Sequence, residues 1–222
     1  MDQTPAHDNA NMTVLEIIPS DSSKIIEIGC GSGALAREFK ALNPHCHYVG
    51  LDIVQEYANM AARYCDEVIV TDIEKQGVDF FQKYNDRDCW IFADALEHLI
   101  DPWLVLKSVR QVIPDHGTIV VCIPNAQNWS LVGNLAIGNF RYQDSGLLDR
   151  THLRWFTRQT MFELFEGTGF AVESVTSRIV GDSNDIPFLS IIKDIANFAG
   201  TDADIAVRDS IPFQYVFKVK PR

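Results

Sequence analysis

The chain has 222 residues, 46% of them hydrophobic, which is enough to bury one core, and it reads as a single domain over residues 1–222. Its formal charge is -11 with Lys and Arg scattered, so the basic footprint of a nucleic-acid binder is absent and no nucleic-acid partner is expected. The five cysteines form no CxxC pair, the N-terminus lacks a leader pattern and no apolar run suits a bilayer, so a cytoplasmic chain without membrane insertion is expected.

Residues 1–20 are expected to form an N-terminal helix or cap. Beyond them, short apolar runs alternate with longer amphipathic ones, the pattern of a parallel sheet covered by helices. Strands are predicted at 24–29, 47–52, 67–72, 89–94 and 117–124. Helices are predicted between them at 34–42, 54–64, 74–84 and 102–112, the last with Pro102 in its first turn. Residues 125–157 form an acceptor-side insertion with aromatics, charges and little regular period, of the kind that serves as a lid or binding surface. A helix at 158–166 follows, and the runs 171–180 and 213–220 read as an antiparallel pair at the sheet edge. A second insertion over 181–211 separates them. Within it, 186–200 is predicted helical with Phe188, Ile191, Ile192 and Ile195 on one face, read either as an acceptor-side element or as a dimer surface. The polar stretch 200–210 is expected to be mobile.

Ligands of open parallel sheets lie outside the carboxyl ends of the strands. Glu27, Asp52, Asp72 and Asp94 stand at four of the five predicted ends, and Pro124 with Asn125 at the fifth. Any one of these carboxylates suits a helix cap. All four beside a glycine turn point to a ligand. Gly29, Gly31 and Gly33 permit positive φ and a close approach, and the next helix aims free N–H groups at the same place. Gly29, Gly31 and Ala34 also match the letters of a dinucleotide turn. A carboxylate at Glu27, however, opposes a pyrophosphate and suits a cationic amine, while Asp52 is placed to take both hydroxyls of a ribose. A nucleoside with a positively charged tail fits both.

The run EIGCGSG, followed by GLDI, TDIE and ADALEHLIDPW, resembles the motifs of class I S-adenosylmethionine-dependent methyltransferases. The stretch GLLDRTHLRWFT at 146–157 is similar to one in bacterial methyltransferases associated with polysaccharide and other surface-glycan assembly. The resemblance covers roughly residues 10–180. It implies an α/β, Rossmann-like seven-stranded, mostly parallel sheet of order 3-2-1-4-5-7-6, the last strand antiparallel, with helices on both faces. It also implies that Glu27, Gly29, Cys30, Gly31 and Gly33 hold the methionine part of S-adenosylmethionine, that Asp52 takes the ribose and that Asp72 accepts from the adenine amine. Ile53 and Ile73 are either contacts of the adenine ring or ordinary core, and Asp94 and Ala95 would border the methyl group.

Methyl transfer from a sulfonium is a direct displacement that needs alignment and exclusion of water, and a hydroxyl nucleophile also gains from a base. His98, four residues past Asp94, and His152, flanked by Asp149, Arg150 and Arg154, are the candidates. Each is read alternatively as a hydrogen-bonded histidine that pins its loop. Trp129, Tyr142, Arg150 and Arg154 suit a sugar-like or polar acceptor, whereas Trp155 and Phe156 are expected to pack beneath the helix at 158–166. No metal is expected. The expected activity is O-methylation of a small-molecule or glycan-type acceptor. An NAD(P)-dependent oxidoreductase, which Glu27 argues against, and a non-catalytic S-adenosylmethionine-binding partner subunit are the alternatives.

Overall fold

A computed structural model of the chain describes residues 8–181 and 186–222. Residues 1–7 of the expected N-terminal cap and 182–185 of the expected second insertion lie outside it. In chain order the elements are α1 (Met12–Ile17), β1 (Lys24–Ile28), α2 (Ala34–Leu42), β2 (His47–Asp52), α3 (Gln55–Ala61) and β3 (Glu67–Val70). Next come α4 (Val78–Gln82), β4 (Cys89–Ala93), α5 (Pro102–Arg110), β5 (Thr118–Pro124), α6 (Trp129–Ala136) and α7 (Arg158–Gly167). The chain continues through β6 (Phe170–Arg178), α8 (Phe188–Ala199), α9 (Ala203–Ser210) and β7 (Gln214–Pro221).

The strands form one sheet of order β3-β2-β1-β4-β5-β7-β6. The first five are parallel, and β7 runs antiparallel between β5 and β6. Alternation along each strand divides the core in two. Ile26 and Ile28 of β1, with Trp90 and Phe92 of β4, face a layer holding Val105 and Val109 of α5 and Leu164 and Phe165 of α7. The intervening Ile25 and Ile91 face Val14 of α1 and Leu35 and Phe39 of α2. Helices therefore cover both faces, and the parallel strands point their carboxyl ends at a single rim.

Several helices differ from expectation for local reasons. The helix expected at 54–64 ends at Ala61, because the chain must turn to enter β3, and Tyr64 and Cys65 donate back to the carbonyl of Ala61. The 74–84 segment divides: the Asp72 carboxylate caps a single tight turn at Ile73–Lys75, and Gly77 leads into the short α4. The insertion at 125–157 contains α6, begun by the side chain of Asn128 accepting from Ser130 N. Phe156 enters the core near Met161, whereas Trp155 stays partly exposed against Phe140 and His152.

The expectation of a mobile 200–210 stretch is corrected. Asp202 caps α9 by accepting from Asp204 N and Ile205 N, and the helix ends in the buried Asp209 and Ser210. The Asn125 amide donates to the carbonyls of Asp209 and Pro212, and that of Asn128 to Ile211 and Pro212. These satisfied backbone carbonyls tie α9 to the end of β5. No helix among the described residues is long and apolar enough to cross a membrane.

Candidate functional site

At the carboxyl end of β1 the chain turns through Gly29, Gly31 and Gly33, all with left-handed φ of 77°, 52° and 79°. Gly29 N and Cys30 N donate to the Leu51 carbonyl on β2, and Gly31 N donates to Asp52 Oδ2 at 2.9 Å. The other carboxylate oxygen of Asp52 accepts from Val54 N at 2.8 Å. Asp52 is thus a buried brace between the turn and the start of α3, and each oxygen keeps lone-pair capacity for a ligand.

A cleft of about 790 Å³ opens over these strand ends. Of the residues singled out for the cofactor, Glu27, Gly29, Cys30, Gly31 and Asp52 line it, as do Ile53, Asp72, Ile73, Asp94 and Ala95. Gly33 does not. It sits behind the turn, where an added Cβ would come within 2.8 Å of Ala61 Cα. Ile53 is 52% exposed on the rim, whereas Ile73 is 4% exposed and belongs to the core it also faces. Asp72 is engaged locally as well, capping Glu74 N and pairing with Lys75 at 3.0 Å.

Glu27 is buried, and the Tyr48 hydroxyl donates to its Oε2 at 2.8 Å. Burial pushes its carboxyl up from 4.5 to about 8; the Tyr48 hydrogen bond pulls the other way, and the negative charge of Asp52 adds to the rise. The folded chain therefore holds this proton more tightly than the unfolded one, and its contribution to stability is present below about pH 4.5 and lost as pH rises through about 8. Melting curves of the ligand-free protein followed by circular dichroism are expected to show Glu27→Gln gaining on the wild type across that interval. Parallel curves at every pH would mean that Glu27 titrates normally.

The end of β4 carries the densest chemistry. Asp94 is the one non-glycine among the described residues with positive φ, 54°, a strained conformation of the kind found at ligand sites. The Gln214 amide on β7 donates to Asp94 Oδ1. Beyond Asp94 a tight turn at Leu96–His98 presents Glu97 and His98. The carbonyl of Glu97 accepts from Leu153 N at 2.8 Å and Arg154 N at 3.0 Å, which draws the 146–157 segment over the turn and brings in His152. The rings of His98 and His152 lie 4.9 Å apart, and both residues line the cleft.

Hydrogen bonds assign the proton in each ring. The Thr151 hydroxyl donates to Asp149 Oδ1 at 2.6 Å, so His98 Nδ1, 3.0 Å from that hydroxyl and 3.2 Å from the Thr151 carbonyl, is the donor. His152 Nδ1 lies 3.3 Å from the Leu147 carbonyl, which only accepts. Both Nε2 atoms therefore carry a lone pair. Burial lowers the pKa of His98, and burial reinforced by His98 takes that of His152 down to about 4, so both rings are neutral near pH 7. Glu97 is 1% exposed with neither carboxylate oxygen hydrogen-bonded, and burial, then the charges of Asp94 and Asp149, push its carboxyl up.

Trp129, Tyr142, Arg150 and Arg154 are not brought to the cleft wall. Arg150 pairs with Asp144 at 2.5 Å and Arg154 donates to the Ile100 carbonyl while lying over Trp103. The exposed Tyr142 packs edge-on against Phe140. Glu97 and Gln214 were not singled out from the sequence, although Glu97 directly precedes His98 in ADALEHL.

A family model described as a methyltransferase domain matches residues 8–175. Among solved structures, the chain is similar to an S-adenosylmethionine-dependent methyltransferase from Archaeoglobus fulgidus at 17% identity, covering 90% of this chain and 87% of that one, with a TM-score of 0.61. It is similar to magnesium protoporphyrin IX methyltransferase from Synechocystis PCC 6803, with S-adenosylhomocysteine bound, at 11% identity, 96% and 81% coverage and a TM-score of 0.61. A third likeness is to an O-methyltransferase from neocarzinostatin biosynthesis, in complex with S-adenosylmethionine and 2-hydroxy-5-methyl naphthoic acid, at 12% identity, 96% and 53% coverage and a TM-score of 0.57. At such identities the likeness establishes the fold. No curated protein matches the sequence.

Proposed function

From the premise that this chain belongs to the methyltransferase-domain family and takes S-adenosylmethionine as its cofactor, we propose that it methylates a hydroxyl oxygen of a small-molecule or glycan-type acceptor. The nicotinamide alternative falls with that premise. The cleft suits the cofactor. A Cβ added at Gly31 would meet nothing within 4 Å, so the turn leaves room for a ligand, and the volume lies in the ligand-pocket range of about 300–1,000 Å³.

In this reading Glu27 and the glycine turn face the methionine end, Asp52 takes the ribose hydroxyls, and Asp72 accepts from the adenine amine with Ile53 against the ring. Asp94 and Ala95 border the methyl group. Gly33 acts indirectly, by seating the turn on Ala61. The bound cofactor supplies a methyl group made electrophilic by its sulfonium. What carries the oxygen assignment is the pair of neutral histidines at the β4 end, each with its Nε2 lone pair available to take the hydroxyl proton. Trp129, Tyr142, Arg150 and Arg154 stand outside the cleft wall.

Incubation of the protein with methyl-labelled cofactor and a panel of monosaccharides, nucleotide sugars and phenols is expected to yield a labelled methyl ether. Label recovered only on nitrogen or carbon would overturn the oxygen assignment.

A further inference from the structure

We propose that Glu97, His98 and His152 form a binding site for a divalent first-row metal cation, zinc foremost, at the methyl end of the cleft. One ligand atom from each lies within 4.8 Å of the others, and His152 Nε2 is 4.0 Å from Glu97 Oε1. Two imidazoles with one carboxylate are a donor set for zinc and related ions, which in catalytic sites leave a further position open.

Three observations carry the assignment. First, Glu97 is 1% exposed and neither of its oxygens has a hydrogen-bond partner. A buried carboxyl with neither oxygen hydrogen-bonded is costly, and a cation that displaces its proton is a partner this position can take. Secondly, the Nδ1 atom of each ring is already engaged, which leaves Nε2 as the ligating atom. His98 Nδ1 is held by the carbonyl and hydroxyl of Thr151, the hydroxyl being fixed by Asp149, and His152 Nδ1 by the Leu147 carbonyl. Outer hydrogen bonds of this kind set the tautomer in metal-binding histidines. Thirdly, the two segments carrying the donors are clamped where the donors meet, by Leu153 N and Arg154 N donating to the Glu97 carbonyl. Bonds of about 2.0–2.2 Å would place the ligand atoms roughly 3.4 Å apart, so binding draws the group in by about 1 Å.

The ion's purpose rests on the methyl-transfer reading above; its binding does not. With the ion present, the histidines are its ligands and the ion takes over the activation assigned to them. An acceptor hydroxyl bound at the open position releases its proton to solvent near neutral pH. The oxygen then forms its bond to the methyl carbon as the carbon–sulfur bond breaks and its electron pair passes to sulfur.

The test titrates the chelator-treated full chain with ZnCl₂ by calorimetry and with CoCl₂ by visible absorption, in parallel with S-adenosylhomocysteine binding. One equivalent of zinc and the d–d bands of low-symmetry cobalt are expected. Glu97→Gln and His152→Gln are each expected to weaken zinc binding at least tenfold while leaving S-adenosylhomocysteine affinity unchanged, which shows that the variants are folded. No zinc or cobalt uptake by wild type that binds S-adenosylhomocysteine would overturn the metal site, as would uptake unchanged in both variants. Zinc uptake without S-adenosylhomocysteine binding would instead overturn the placement of the cofactor and leave the metal site standing.

Discussion

Asp52→Ala is expected to weaken S-adenosylhomocysteine binding by about 10² to 10⁴, because two hydrogen bonds to a charged group, at about 1.5–3 kcal/mol each, are lost together. Calorimetric titration measures this directly. The carboxylate has two jobs in the structure: it braces Gly31 N and Val54 N, and in the proposed complex it takes the ribose hydroxyls. A 2′-deoxy analogue separates them. It should bind the wild type more weakly than the parent ligand, yet be no further disadvantaged in Asp52→Ala. Equal affinity of wild type and variant for the parent ligand, in a protein with an unchanged circular dichroism spectrum, would remove Asp52 from the site.

Gly33→Val is expected to cost about 2–6 kcal/mol of stability, combining the strain of a branched residue at left-handed φ with overpacking. At φ 79° the new Cβ would stand 2.8 Å from Ala61 Cα and 3.1 Å from its Cβ, and main chain cannot swing aside as a flexible side chain does. Denaturant unfolding should show a lower midpoint with an unchanged slope. Gly31→Ala is the contrast. Its φ is also positive, but the added carbon meets nothing within 4 Å, so the loss in stability should be near 1 kcal/mol and the larger effect should fall on ligand affinity. Equal losses from the two substitutions would mean that the Ala61 contact does not matter.

The features legible in the sequence are those written by neighbouring residues. Apolar runs placed all seven strands, because alternation and turn residues lie within a few positions of one another, and the positive φ of Gly29, Gly31 and Gly33 is the property for which glycine is used. What stayed hidden depends on distant partners. The 200–210 stretch is polar and reads as loose, yet its anchors are the amides of Asn125 and Asn128, more than 80 positions away in the chain. Only the capping Asp202 was a local signal. Arg154 has the chemistry of an acceptor fork, and the sequence does not show that its guanidinium donates to the Ile100 carbonyl, 54 positions away. Glu97 does not stand out in the sequence because a carboxyl beside a histidine is ordinary until the fold shows it buried with no hydrogen-bond partner.

The position of β7 bears on how the molecule is made. During translation β5 and β6 emerge first, but among the described strands β6 pairs with β7 alone, and β5 presents an open edge on that side until residues 214–221 arrive. A nascent chain stalled before that point carries two unmatched edges and an uncovered apolar layer, the features that chaperones engage and that favour aggregation. Gln214, whose amide clasps Asp94, is the first residue of that late strand. The β4 end of the cleft is therefore completed only when β7 slots between strands synthesised before it, which ties the closing of the cleft to the final commitment of the fold.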